Sequence, residues 1–189
     1  MAQSRFIVQV DQVSAKNGKK SLLASGQEFG RIETTSKGKE TTMTLTCFDV
    51  ANYFLSKCDE EAGDAISNLK LQKLVYYAQG FFLAVHNRPL FNEEIVAWQH
   101  GPVVPALYQK YRECGALGIP SPKDIDYEKF SDEEKELLDA VYFSYGQFSA
   151  WKLRNMTHAE PPWKNTEINQ VISLTALKDY FKTQVNVKD

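Results

Sequence analysis

The stretch Ser67–Asn87, SNLKLQKLVYYAQGFFLAVHN, narrows the possible folds of this chain more than any other. Leu71, Leu74, Val75, Ala78, Phe81, Phe82 and Val85 recur at the i, i+3, i+4, i+7 spacing that gathers apolar side chains on one helical face. Leu69, Tyr76, Tyr77, Leu83 and Ala84 lie off that stripe, so beyond Leu74 the segment is apolar nearly all round. A helix of that kind has to be enclosed by neighbours. The expected architecture is therefore mainly α, a single helical domain around a central buried helix (67–87). At about 1.5 Å rise per residue the helix would be roughly 30 Å long, close to the diameter of a small domain. Its ends are marked. Ser67 suits an N-cap, Asn87 a left-handed stop, and Pro89 forces Arg88 out of helical geometry.

The chain has 189 residues, 43% of them hydrophobic, enough for one full-sized core without staples. The apolar run from Leu74 to Val85 is 12 residues long and holds two tyrosines and a glutamine, too short and too polar to span a bilayer. Met1 to Val13 contains no long apolar block of the kind a signal peptide needs. Cys47, Cys58 and Cys114 are odd in number, widely spaced and set in helical patterns, which fits reduced thiols better than a disulfide frame. A cytoplasmic protein is expected.

The formal net charge of −2 is unevenly placed. Residues 1–45 hold 7 Lys or Arg against 4 Asp or Glu, whereas the remainder holds 15 against 20. An acidic body disfavours a dedicated nucleic-acid binder, whose affinity rests on a basic patch neutralising phosphates.

Residues 1–45 read as a small β-rich or partly ordered N-terminal arm. Arg5–Val10 alternates and is β-branched, Glu28–Thr35 and Thr41–Leu45 are further strand candidates, and Asn17-Gly18 offers a turn. With few large apolar residues after Val13, the arm needs the body or a partner to cover it; the alternative is a disordered leader. Helical patterning begins at Thr46, where Thr46-Cys47-Phe48-Asp49 makes a capping box with Leu45 and Val50 as a hydrophobic staple. After the central helix, 88–102 reads as an ordered loop, with Ile95–Trp98 an extended piece or one helical turn. Pro102 or Pro105 opens a helix with Val104, Leu107, Tyr108 and Tyr111 on its buried face, and Gly115 ends it. Residues 115–130 form a linker. Ser131-Asp132-Glu133-Glu134 is a second capping box, Ser149 caps a short helix through Trp151, Leu153 and Met156 that stops at Thr157, and a last helix runs from Ser173 to about Thr183.

The three histidines, His86, His100 and His158, stand in no HExxH or His-x-His pattern, and no CxxC, GxSxG or glycine-rich phosphate loop occurs. No catalytic, metal or cofactor site is expected. A hydrolase using a Cys/His pair remains the enzyme alternative, with Cys47 beside a cap as the nearest thiol. Polar, aromatic and turn residues concentrate at Trp98–Pro102 and Thr157–Trp163. These two segments either border one partner-binding groove or are rigid loops whose Trp side chains plug the core.

Five motifs in order, Phe48–Leu55, Leu69–Gly80, Pro89–Phe91 with Glu94–Trp98, His100–Pro105 with Leu107-Tyr108, and Leu153 with Thr157-His158 and Pro162-Trp163, resemble the Panacea domain of SocA-like antitoxins over about 46–165. The resemblance implies a helical domain, here 46–189, that binds and neutralises a cognate protein toxin encoded by an adjacent gene, in toxin–antitoxin operons where many unrelated toxins pair with this one domain type; members are also known as phage-associated proteins, which suggests prophage and phage-defence settings. It implies no catalytic residue and no cofactor. In one family member the antitoxin is a protease adaptor that delivers its toxin for degradation, so a protease is a further possible partner; self-association is compatible with the pattern as well. The arm lies outside the resemblance and is expected to extend the toxin contact. The partner-binding residues expected on these grounds are Arg5, Phe6, Val8 and Arg31 in the arm, and Trp98, His100, Tyr108, Thr157, His158 and Trp163 in the body.

Overall fold

The computed structural model describes residues 8–9, 45–58 and 65–186. Helix α1, Cys47–Ser56, starts at the expected capping box: the Asp49 amide donates to Thr46 Oγ1 at 3.2 Å and the Thr46 amide donates to Asp49 Oδ2 at 2.9 Å. Its face of Val50, Ala51, Tyr53, Phe54 and Leu55 is buried.

Helix α2, Asn68–His86, is the central element. Ser67 is its N-cap, and Asn87 closes it in the left-handed conformation with φ 57°. Every residue from Lys70 to Leu83 is buried. Enclosure comes from α1 and from four elements later in the chain: α4 (Asp132–Tyr145), α5 (Ala150–Ala159), α7 (Leu174–Lys182) and a β-hairpin. The tightest approach is to α7. Gly80 leaves room for the Phe181 ring to lie directly on the α2 backbone, where it meets Tyr76, Tyr77 and Phe81 edge-on at centroid distances of 5.5, 6.1 and 4.8 Å. A Cβ at position 80 would occupy the space of that ring.

The expected loop after α2 contains a hairpin. Strands β2, Val96–Trp98, and β3, Gly101–Val103, pair antiparallel with Ala97 opposite Pro102 and Trp98 opposite Gly101. Gln99 and His100 form the two-residue turn, and Gly101 relieves it at φ +100°, a conformation that side chains resist. On its other edge β2 is held by residues 169–172: the Ala97 amide donates to Gln170 O at 2.9 Å and the Asn169 amide donates to Ala97 O at 2.7 Å.

Helix α3, Pro105–Tyr111, opens at Pro105. Its buried residue is Leu107; Tyr108 is 37% exposed and Tyr111 half-buried, narrower burial than the spacing predicts. The segment 115–130 is a packed strap. Ile119 and Phe130 are buried, and the Ile119 amide donates to Ile66 O at 2.9 Å. Helix α4 carries the Ser131/Glu134 capping box. Helix α5 runs on through Ala159, so Thr157 and His158 belong to its last turn and not to the loop behind it, and the single turn α6, Pro161–Lys164, follows directly.

Of the N-terminal arm, Val8–Gln9 forms strand β1, inside the expected Arg5–Val10 strand, and pairs parallel with β4, Val185–Asn186. The candidate strands at Glu28–Thr35 and Thr41–Thr44 and the turn at Asn17-Gly18 lie outside the described residues, while Leu45 makes an isolated bridge to Phe91. Among the described residues no helix is long and apolar enough to cross a membrane.

Candidate partner-binding surface

A helix buried on all sides must find partners for its polar side chains, since each unpaired buried group costs about 1–3 kcal/mol. On α2 those partners are the loops around it. Gln79 accepts from the amides of Leu90 and Phe91 at 2.8 and 3.3 Å and donates to Phe91 O at 2.9 Å. Gln72 accepts from the Val104 amide at 2.9 Å, and its own amide donates to Asn68 Oδ1 at 3.0 Å. Asn68 in turn donates to Tyr108 O at 3.2 Å. The Lys73 ammonium, wholly buried, donates to Pro102 O at 2.9 Å. Tyr76 and Tyr77 donate to Oε2 and Oε1 of Glu160, each at 2.9 Å. The polar face of α2 thus fixes 90–91, 102–104 and 160, and with them the hairpin and the α5–α6 corner.

Burial sets the charge states in this layer. It pushes the Glu160 carboxyl up to about 7, partly offset by the two tyrosine hydrogen bonds. Burial, reinforced by the Arg154 charge, pushes the Lys73 ammonium down to about 7. Tyr76 and Tyr77 are held well above the ordinary tyrosine range by burial and by Glu160, so both remain donors.

The hairpin and the α5–α6 corner meet. Trp163 Nε1 donates to Trp98 O at 3.0 Å, and the Trp163 ring stacks on His158 with centroids 3.7 Å apart. Trp98 meets Tyr108 edge-on at 5.0 Å, and His100 meets Trp151 edge-on at 6.0 Å. Thr157 is buried beneath them, its Oγ1 donating to Arg154 O at 2.9 Å. A side chain at Gly101 would strike Thr157 Oγ1 and the end of Lys73. Six expected residues, Trp98, His100, Tyr108, Thr157, His158 and Trp163, therefore lie in one cluster, with His100 and Tyr108 exposed, Trp98, His158 and Trp163 half-buried, and Thr157 enclosed. Arg5, Phe6 and Arg31 lie outside the described residues, and Val8 is placed by its backbone pairing with Val185.

Three contributors were not singled out from sequence. Trp151, at 61% exposure, is the most open aromatic of the cluster, and Arg154 lies over its ring at 6.0 Å. Lys73 sits below. The signal for Trp151 and Arg154 was their i, i+3 spacing with each other and the i, i+4 spacing from Arg154 to His158, which puts all three on one face of α5. The Cys47 thiol, by contrast, is buried and pushed up to about 12 by burial and by Glu93, so it carries almost no thiolate at neutral pH. Among the described residues no group of three His, Cys, Asp or Glu is placed to hold a metal ion. Farther along, a groove of about 780 Å³ runs between α6 and α7, lined by Pro161, Pro162, Asn165, Val171, Asp179 and Tyr180.

Fold and surface together define a small helical domain in which one buried helix holds a β-hairpin and the α5–α6 corner against each other. The family described as "Antitoxin SocA-like, Panacea domain" matches residues 71–164, from the first full turn of α2 to the end of α6. Antitoxin SocA of Caulobacter vibrioides (strain NA1000 / CB15N) is 33% identical over 161 residues, covering 71% of this chain and 81% of that protein. The chain belongs to the SocA-like, Panacea-domain family. No solved structure matches it significantly.

Proposed function

We propose that this protein is an antitoxin that neutralises a cognate toxin by direct contact through the surface formed by Trp98, His100, Tyr108 and Trp151. Support comes from family membership and from a relative that is itself named an antitoxin. The observation that carries the choice of surface is the meeting of the two loops, joined by the Trp163–Trp98 hydrogen bond, under an exposed aromatic patch. Large aromatic side chains on a rigid base supply contact area at little entropic cost, the usual make-up of interface anchors. The partner on this reading is the product of an adjacent gene, met in the cytoplasm.

The arm adds contacts on the same reading. Because Val8–Gln9 is already paired with the C-terminal strand, truncating the arm would also disturb the fold, so Arg5 and Phe6 are better tested by substitution in the full chain.

Co-expression decides the matter. The product of the adjacent gene should arrest growth alone and be tolerated with this protein present, and the two should co-purify. Arrest that persists despite a folded antitoxin, with no complex, would remove the proposal. Protection retained in cells lacking the major cytoplasmic proteases separates masking from delivery for degradation.

A further inference from the structure

The surface contains a guanidinium, that of Arg154, set among basic side chains and without a carboxylate partner among the described residues. Arg154 donates Nη1 to Asn155 Oδ1 at 3.0 Å, but its Nε is buried and has no acceptor among the described residues. One turn on, His158 Nε2 is buried and equally unpartnered. Lys73 completes the group from α2, and its one hydrogen bond is to a neutral carbonyl, that of Pro102. His100 flanks it from the hairpin turn. Among the described residues none of these four makes an ion pair. The nearby acid, Glu160, has each of its oxygens taken by a tyrosine. His158 is neutral in this setting: burial first, then Arg154, Lys73 and His100, push its pKa down to about 4.

A guanidinium stays charged at any ordinary pH, so one that has no carboxylate partner and lies against an exposed aromatic, Trp151, points to an acceptor that arrives from outside. We propose that the Arg154–His158 face of α5 receives a carboxylate from the protein partner, an Asp or Glu side chain of the toxin. The source of the carboxylate rests on the antitoxin reading; the site does not. Arg154 is suited to the task, since the planar guanidinium fork pairs with a carboxylate through two parallel hydrogen bonds, and His158 is locked in place by its stack on Trp163. The setting favours a protein acid over a phosphate polymer, because the body around it is acidic and would repel an extended polyanion.

The site is tested first in the isolated full chain. In ¹⁵N-labelled protein, glutarate should shift the Arg154 Nε–H and His158 ring resonances saturably in the millimolar range, and Arg154→Gln should abolish the His158 response while the amide spectrum stays folded. No saturable shift, an undiminished response in the variant, or a response to inorganic phosphate without one to glutarate would each overturn the site. The second arm measures affinity for the product of the adjacent gene. Arg154→Gln should weaken the complex at least about tenfold, as loss of one partner of a desolvated ion pair does, and His158→Gln, which removes the imidazole stacked on Trp163, should weaken it independently. A wild-type complex that both variants match in affinity overturns the toxin carboxylate and leaves the antitoxin reading standing. Absence of any wild-type complex removes that reading and the toxin as the source, while the glutarate titration still decides the site.

Discussion

The indole N–H of Trp163 donates to the backbone carbonyl of Trp98 at 3.0 Å, joining residues 65 positions apart in sequence. That bond locks the α5–α6 corner to the hairpin, so the two aromatic segments act as one surface. Trp163→Phe keeps an aromatic face for the His158 stack but leaves the Trp98 carbonyl without its donor. Urea denaturation should show a loss of about 1–2 kcal/mol, the usual cost of an abandoned hydrogen-bond partner.

Glu160 gives the protein a pH dependence of known sign. Its carboxyl is raised from 4.5 to about 7, so the native state holds the proton more tightly than the unfolded chain does. Its contribution is complete below about pH 4.5 and is lost as pH rises through 7. The shift corresponds to roughly 3 kcal/mol between the two protonation states. Glu160→Gln can still accept from one tyrosine and donate to the other, with no charge to bury. Plotted as wild type minus variant, unfolding free energy should fall between pH 5 and 8. His86 and His158, whose pKa values are lowered, act in both proteins and cancel in that difference.

Gly80 is the point of closest approach between α2 and α7. Gly80→Ala puts a methyl group into the Phe181 ring. Its better helix propensity should be outweighed, and the variant should lose about 1–3 kcal/mol through overpacking, read as a lower urea midpoint at unchanged slope.

Gln79 carries three hydrogen bonds to the backbone of Leu90 and Phe91. Gln79→Leu matches its volume closely and strands all three groups in the core. The loss should exceed about 2 kcal/mol. Hydrogen exchange at the Leu90 and Phe91 amides should speed up more than exchange in α7.

What was legible in the sequence was local. Thr46 with Asp49, Ser131 with Glu134, Ser67 and Asn87 mark helix ends through contacts only a few residues long, and the structure realises each of them. The all-round apolar character of α2 required enclosure, and enclosure is found. The hairpin was not legible, because its strands are three residues long, its turn is Gln99-His100 instead of a glycine pair, and Pro102 lacks a strand donor. The buried polar ladder was hidden for another reason. Glu160 meets Tyr76 across 84 positions, a pairing set by the packing of α5 against α2 and by nothing local. Trp151 stood next to core residues in sequence, yet it falls on the outer face of α5.

On the proposed reading the exposed aromatics joined by this scaffold bind the toxin. Trp151 tests it best, since at 61% exposure its removal should leave folding within about 0.5 kcal/mol of wild type. Calorimetric titration of Trp151→Ala into the adjacent gene's product should show binding at least about tenfold weaker than wild type, with an unchanged melting temperature. Wild-type affinity in that folded variant, and again in Tyr108→Ala, would contradict the account.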